Sequence, residues 1–225
     1  PTFDMADPMG ASSCVACGEC VQACSTGALM PSTAVDDDQI GDSADYDEEI
    51  KSVCPFCGVG CQVSLKVKDN KIKFVEGING PANEGRLCVK GRFGFDYIHH
   101  DHRLTKPLIR RTDAPPKGLN VDPSNWSKFF REASWDEALD AAADGLNTLK
   151  AENGGRSVAG FGSAKCTNEE AYLFQKIIRQ GFGHNNVDHC TRLCHASSVA
   201  ALMENVGSAA VTATFNEIEN ADVAI

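Results

Sequence analysis

No run of apolar residues in this chain approaches the roughly 20 needed to cross a bilayer, and its first residues carry neither a basic stretch nor a signal-like apolar core. Membrane insertion is therefore not expected, and a cytoplasmic protein is the reading that remains. An initiating methionine is also missing: the chain opens at Pro1 and closes at Ile225, on Ala221-Asp222-Val223-Ala224-Ile225, which reads as the opening of a buried strand. It reads as an amino-terminal fragment, and a targeting segment already removed would leave no trace. Basic residues are outnumbered, 21 Lys and Arg against 31 Asp and Glu, for a net charge of -10. Such a surface repels nucleic acid and anionic lipid, so neither is an expected partner. An anionic substrate would need a local positive site. No internal repeat is visible.

Apolar residues and cysteine are in good supply. At 225 residues and 42% apolar, the chain can build one or two domains with real cores. Eleven cysteines would suit a disulfide scaffold in a short secreted protein, but this chain is not short, and eight of them fall in two blocks. Metal ligation is the better reading.

The first block occupies residues 1–33 and is followed by an acidic linker over 34–50, where Asp36 to Glu49 carries eight acidic residues and little that could enter a core. In the next region, 51–113, Gln62 to Val67 alternates polar and apolar, Asp69-Asn70 supplies turn chemistry, and Lys71 to Val75 resumes the strand pattern. These predict a small hairpin. Pro107 to Pro123, rich in Pro, Gly and Asp, marks a second boundary. Beyond it the period changes. Ser134 with Glu137 starts a helix whose apolar stripe is Ala138, Leu139, Ala142, Leu146 and Leu149, and Asn153-Gly154-Gly155 ends it. Ser157 to Phe161 reads as a short buried strand, Thr167 with Glu170 starts a helix running to Gln180, and a third covers Ser197 to Asn205. Alternating helix and strand over 114–225 argue for the start of an α/β domain with a largely parallel sheet.

Cys14, Cys17, Cys20 and Cys24 follow C-x2-C-x2-C-x3-C, the spacing of bacterial-type ferredoxins, in which a loop wraps thiolates around one cubane. Structural zinc is the alternative, although four cysteines in eleven residues crowd a tetrahedral site. In two-cluster ferredoxins the fourth cysteine of each run serves the other cluster, and here the partner run is missing. Ser25 stands where such runs usually carry proline. Cys54, Cys57, Cys61 and Cys88 follow C-x2-C-x3-C-x26-C, with Pro55, Gly58 and Gly60 bending the backbone so that three thiolates converge and a distant fourth closes the set. A core-packing role would not produce this spacing.

The run VCPFCGVGCQVSL…GRLCVKGRFGFDYI resembles the cluster-binding domain of the molybdenum oxidoreductases related to dimethyl sulfoxide reductase, and within them the formate dehydrogenase branch. In that family a lysine just beyond the fourth cysteine lies between cluster and pterin. The matching residue is Lys90, which read alone is an ordinary surface lysine in a glycine-rich turn. GSAKCTNEEAYLFQK is similar to the family's segment approaching the pyranopterin dinucleotide, implying cofactor contacts for Lys165 and Asn168 and a structural place for Cys166. In NNVDHCTRLCHASSVAAL, Cys194 precedes a helix-favouring run, and a helix amino-terminus favours a thiolate. Taken bare, the Cys194-His195 pair admits a nucleophile with its base, zinc ligands or a buried structural pair, the last being favoured. RLCHASSVA, however, resembles the family motif in which a cysteine ligates molybdenum or tungsten and the next histidine handles protons. Nitrate reductases of the family usually lack that histidine.

The resemblance implies an enzyme that converts formate to carbon dioxide, reversibly, with molybdenum or tungsten held by two molybdopterin guanine dinucleotides and Cys194. It implies electron flow past Lys90 to [4Fe-4S] clusters at the Cys54 and Cys14 blocks. Flavin- and iron–sulfur-containing partner subunits would then reduce NAD. The family's substrate-binding arginine lies downstream. The rivals are a non-catalytic electron-transfer subunit like the large iron–sulfur subunit of NADH:quinone oxidoreductase, and a nitrate reductase. His99, His100 and His102 look like a zinc cluster but lack an accompanying cysteine, so a solvated or docking role is expected. His184 and His189 flank the Cys194 loop, and Cys190 is read as packing.

Overall fold

A computed structural model describes residues 2–31, 46–118, 122–210 and 212–223. Residues 34–45 of the expected acidic linker, residues 32–33 of the segment before it and the last two residues of the expected closing strand lie outside the described residues. After helix α1 (Glu19–Ala23), three antiparallel strands follow in the order β1 (Glu48–Val53), β2 (Gln62–Lys68), β3 (Lys71–Gly77). The predicted hairpin is present. Asp69 and Asn70 have φ of 51° and 59°, the two left-handed positions of a type I′ turn, whose twist matches that of the strands it joins.

Strand β1 takes in Glu48 to Ile50, residues that the charge run had placed in the linker. Pairing explains how an acidic stretch enters a sheet: Glu49 accepts the Ser64 hydroxyl at 2.9 Å and faces the Lys66 ammonium at 3.1 Å. Lys66 is buried, with Glu76 at 3.5 Å and the Tyr46 ring centroid at 4.8 Å. Burial works against its charge, but Glu49, Tyr46 and Glu76 outweigh burial and hold its pKa above the ordinary lysine value.

The inner face of this sheet supplies the core. Cys54, Val63, Val75, Leu87 and Phe95 are buried together, with Phe56, Cys61, Leu65, Ile72 and Ile98 packed against them. Each large apolar side chain so buried contributes about 1.5–3 kcal/mol. Helix α2 (Val89–Phe93) and a 3-10 helix over Gly94–His99 close this core, and two glycines allow the close packing. A Cβ at Gly91 would meet Leu87 at 3.3 Å and the Cys54 sulfur at 3.6 Å, and one at Gly94 would sit 2.6 Å from the Phe56 ring.

In the second half β4 (Leu108–Arg110) pairs antiparallel with β5 (Phe130–Glu132), so the Pro-rich boundary itself holds a strand. Helix α3 (Trp135–Asn153) starts as predicted: Ser134 Oγ accepts the Glu137 N–H at 3.1 Å. Its Leu139 and Leu149 are 60% and 49% exposed. Residues Gly155–Ser157 form a 3-10 turn, leaving β6 (Gly160–Phe161) as a two-residue strand with Phe161 exposed, rather than the buried strand predicted over Ser157 to Phe161. Helix α4 (Asn168–Lys176) has a full capping box, Thr167 and Glu170 each taking the other's backbone N–H, and runs into a π-turn over Ile177–Gly181. Then come β7 (Val187–Asp188), α5 (Thr191–Cys194), α6 (Ala196–Val206), ended by left-handed Gly207 at φ 72°, and α7 (Phe215–Glu219).

Of the largely parallel sheet expected here, the described residues build one short pair: β6 and β7, joined through α4, run parallel, the Gly160 N–H donating to the Asn186 carbonyl at 2.8 Å and the Gly162 N–H to the Asp188 carbonyl at 2.9 Å. The β4–β5 pair is antiparallel, and α3, α4 and α6 carry no buried residue. The fold class is nonetheless the expected one, a small sheet domain around the Cys54 block followed by the start of an α/β domain. Contacts divide the chain into two units, one of residues 1–99, 161–174 and 188–225, the other of residues 100–160 and 175–187. No helix among the described residues is long and apolar enough to cross a membrane.

Candidate functional site

The Cys54 block is built on the core of the first unit. Cys54 is itself a core residue, its N–H donating to the Cys61 carbonyl at 2.8 Å, so the loop between them closes as a ring at the mouth of the β1–β2 pair. Cys57 and Cys61 are half-buried, and Cys88, exposed, is the amino-terminal cap residue of α2. Burial pushes the Cys54 thiol up, with Cys57 and Cys88 adding to the shift, and burial pushes Cys61 up with added pressure from Cys54, Cys57 and Cys88. The structure thus gathers all four predicted ligands within electrostatic reach of one another. Clustered thiolates of this kind are disfavoured without a compensating cation, and bound iron supplies one. Among the described residues no three Cys, His, Asp or Glu side chains gather tightly enough for a single ion. A multi-atom cubane has room for wider spacing, so the donor set fits an iron–sulfur cluster.

In the first block Cys14 and Cys20 are exposed, and Cys17 and Cys24 are half-buried. The Cys24 thiol is held down to about 7 by the Thr26 hydroxyl first, then by the backbone N–H groups of Leu29, Thr26 and Ala28. The Ala16 N–H donates to the Cys14 sulfur at 3.4 Å. Hydrogen bonds of this kind stabilise the thiolate form of a cysteine.

Lys165 and Asn168, predicted to touch the pterin, lie against the Cys54 loop. The Asn168 amide donates to the Gly58 carbonyl at 2.8 Å, and the Lys165 ammonium stands 5.5 Å from the Phe56 ring centroid and 5.4 Å from that of Tyr97. The neighbouring Ala164 N–H donates to the Cys190 sulfur at 3.3 Å, and the Cys194 N–H to the Cys190 carbonyl at 2.9 Å. A continuous set of contacts therefore runs from the Cys54 loop to Cys194, and Cys190 has a specific role as a hydrogen-bond acceptor in it. Cys166 donates its thiol to the Ser163 carbonyl at 3.1 Å.

Cys194 is the last residue of the single turn α5, and His195 is the residue that caps α6, its carbonyl accepting the Val199 N–H at 2.9 Å. Both side chains are exposed. The pair thus occupies a break between two helices rather than the buried setting that the bare residues favoured. Lys90 lies in the first turn of α2, exposed, two residues beyond Cys88, and its ammonium has no partner among the described residues.

Other histidines have structural partners. His99 Nε2 accepts the Ile72 N–H at 3.0 Å, and the His100 and His102 rings meet edge to face at 5.1 Å. His184 Nδ1 accepts from Asn186, so Nε2 carries the proton and donates to the Gly155 carbonyl at 2.5 Å. His189 Nδ1 accepts the Thr191 N–H at 3.1 Å.

Two supporting residues escaped sequence reasoning. Asn83, buried, accepts the Gln62 N–H at 3.1 Å and shares its amide hydrogens among the carbonyls of Gln62, Ile78 and Arg86 at 3.0–3.2 Å, holding the loop that leads to Cys88 against β2. Arg92, also buried, belongs to α2. A polar residue in a loop and one more arginine carry no pattern of their own; only the close spacing of Arg92 to Cys88 hinted at a role.

Residues 47–100 match the molybdopterin oxidoreductase Fe4S4 domain, and residues 103–225 match the molybdopterin oxidoreductase domain. Similar curated proteins come from Staphylococcus aureus strains MRSA252 and USA300, each carrying the name putative formate dehydrogenase. Each is 32% identical over 97% of this chain and 24% of its own length. The chain thus spans about a quarter of these relatives. Acetylene hydratase from Pelobacter acetylenicus aligns in structure over 68% of this chain and 20% of its own, at 20% identity and a TM-score of 0.47. With a cysteine set that fits an iron–sulfur cluster in the first matched region and the start of an α/β domain in the second, this chain belongs to the molybdopterin oxidoreductase family.

Proposed function

We propose that this chain is the amino-terminal part of a formate dehydrogenase catalytic subunit, converting formate reversibly to carbon dioxide, a proton and two electrons. The observation that carries the reading is the Cys194-His195 pair, exposed at the break between α5 and α6 and linked through Cys190, Ala164, Lys165 and Asn168 to the loop of a fitted cluster site. The relatives' names support the same substrate. When bound, molybdenum or tungsten on two molybdopterin guanine dinucleotides supplies the two-electron chemistry, and [4Fe-4S] clusters at Cys54, Cys57, Cys61, Cys88 and at Cys14, Cys17, Cys20, Cys24 supply one-electron steps.

The residues have separate roles. Cys194 offers a soft anionic ligand. His195, one residue on, holds or moves the proton released from formate. Lys165 and Asn168 fix the dinucleotide-approaching segment to the Cys54 loop, and Lys90 presents a cation beyond Cys88. Flavin- and iron–sulfur-containing partner subunits that reduce NAD, in the cytoplasm, complete the proposal.

The test is formate-dependent reduction of an artificial acceptor by the intact subunit with its partners, alongside molybdenum, tungsten and iron analysis. Cys194→Ala should fall to background with both iron–sulfur signals intact. His195→Ala should keep its metals and lose roughly two to four orders of magnitude in rate, with an altered pH profile. Full formate activity in Cys194→Ala refutes the ligand assignment, and nitrate reduction in place of formate oxidation refutes the substrate.

A further inference from the structure

One side chain reaches both cysteine blocks. Arg92 is 6% exposed, and its guanidinium donates through Nε to the Cys17 carbonyl at 3.3 Å and through Nη2 to the Leu87 carbonyl at 3.1 Å. Cys17 belongs to the first block, and Leu87 immediately precedes Cys88 of the second. The same Nη2 donates to Gln22 Oε1 at 2.5 Å and lies 3.5 Å from Glu19. Gln22 in turn donates to the Gly85 carbonyl at 2.8 Å, and Arg86 pairs with Glu19 at 2.6 Å.

Burying a guanidinium is costly unless its donors and charge are matched. Here three acceptors and a carboxylate match it, and all but Leu87 come from the first block. Close approach depends on Gly18, at φ 81°, where a Cβ would stand 2.3 Å from Arg92 Cδ and 2.5 Å from Nε. The first block, with few buried residues of its own, is thus fastened to the second by a charged fork rather than by apolar packing.

We propose that Arg92 is the positioning residue that sets the distance and orientation between the two clusters and places one shared cation beside the ligand backbone of both. This rests on the reading that each block holds a [4Fe-4S] cluster. A cation so placed favours the more negative, reduced form on either side, so its removal should lower both reduction potentials.

The test uses the intact subunit with its partners and three variants, Arg92→Met, Arg92→Lys and Gly18→Ala. Iron content and the two electron paramagnetic resonance signals of the parent protein check the cluster reading alone. The splitting of those signals when both clusters are reduced, the two potentials, and amide exchange of residues 14–24 check the proposal. Arg92→Met should weaken the splitting, lower both potentials, and speed that exchange by about ten- to a hundredfold. Gly18→Ala should weaken the splitting with a smaller change in potential, since the charge remains. Arg92→Lys keeps the charge but loses the fork, and decides the matter should the methionine variant not fold: its splitting should lie below that of the parent. Parent-like splitting and exchange in Arg92→Lys and Gly18→Ala overturn the proposal. A parent with iron at the Cys54 block alone overturns the two-cluster reading instead, and exchange at residues 14–24 then still reports whether Arg92 holds the segment.

Discussion

Replacing Asn83 by alanine should unfasten the loop that brings Cys88 to Cys54, Cys57 and Cys61. The side chain joins β2 to residues 78–86 through one accepted and three shared donated contacts at 3.0–3.2 Å. Gln62's carbonyl keeps a second donor in the Ile78 N–H at 3.1 Å, so three groups lose their side-chain partner: the Gln62 N–H and the Ile78 and Arg86 carbonyls. At about 1 kcal/mol for each net hydrogen bond the loss is roughly 3 kcal/mol, reduced where water reaches the exposed Arg86. For a chain of this size that corresponds to a fall in Tm of about 6–12 °C. Asn83→Asp keeps the acceptor for Gln62 but turns a buried carboxylate oxygen on three carbonyls, and should be destabilised at least as far as the alanine variant. The assay is thermal denaturation of the 225-residue chain, followed by circular dichroism, with iron retention measured under a chelator. Iron should leave the Cys54 site faster in the alanine variant than in the parent. A Tm within 1–2 °C of the parent's and unchanged iron release would show that the loop is held by other means.

Three further outcomes follow from the same geometry. Cys88→Ala should remove the iron and the spectrum of the Cys54 cluster while the signal of the first block persists; an unchanged spectrum refutes the ligand set. Lys90→Ala, at an exposed position, should leave stability within about 0.5 kcal/mol and metal content intact while slowing formate turnover; joint loss of stability and metal would mark it as structural. Lys165→Met removes a cation over two rings, worth about 0.5–1 kcal/mol at an exposed site. It should therefore show a small loss of stability in urea together with less bound pterin, read from the fluorescence of the released cofactor. Unchanged pterin content would leave Lys165 as a clamp on the Cys54 loop alone.

Features set by local chemistry were legible in the sequence. The Asp69-Asn70 turn, the Ser134 cap and the Thr167–Glu170 capping box all appear where the residues placed them. The four-cysteine spacing at 54–88 likewise foretold which thiols would gather. Misreadings arose where a distant partner decides the outcome. Glu48 to Ile50 looked like linker because only β2, with Ser64 and Lys66, gives an acidic stretch a reason to be a strand. The stretch from Ser157 to Phe161 looked buried because its apolar residues carry no record of whether a covering layer is at hand. Asn83 and Arg92 were invisible for the same reason: each derives its role from carbonyls far away in sequence, on loops with no periodicity.

The contact between Asn168 and Gly58 also bears on when the protein matures. It joins residues 110 apart in the chain, and long-range closure cannot be made until both ends exist. At roughly 5–20 residues per second of synthesis, the Cys54 loop spends on the order of 5–20 s outside the ribosome's protection before Asn168 can be made and docked. During that interval the thiols of Cys54, Cys57 and Cys61 are tethered by β1 and β2 but not yet held from the far side. Oxidation or capture of a wrong metal competes with correct loading in that window. The Asn168 contact is thus made after all four cysteines of the 54–88 set have been synthesised, the last clasp on a loop whose thiols are already in place.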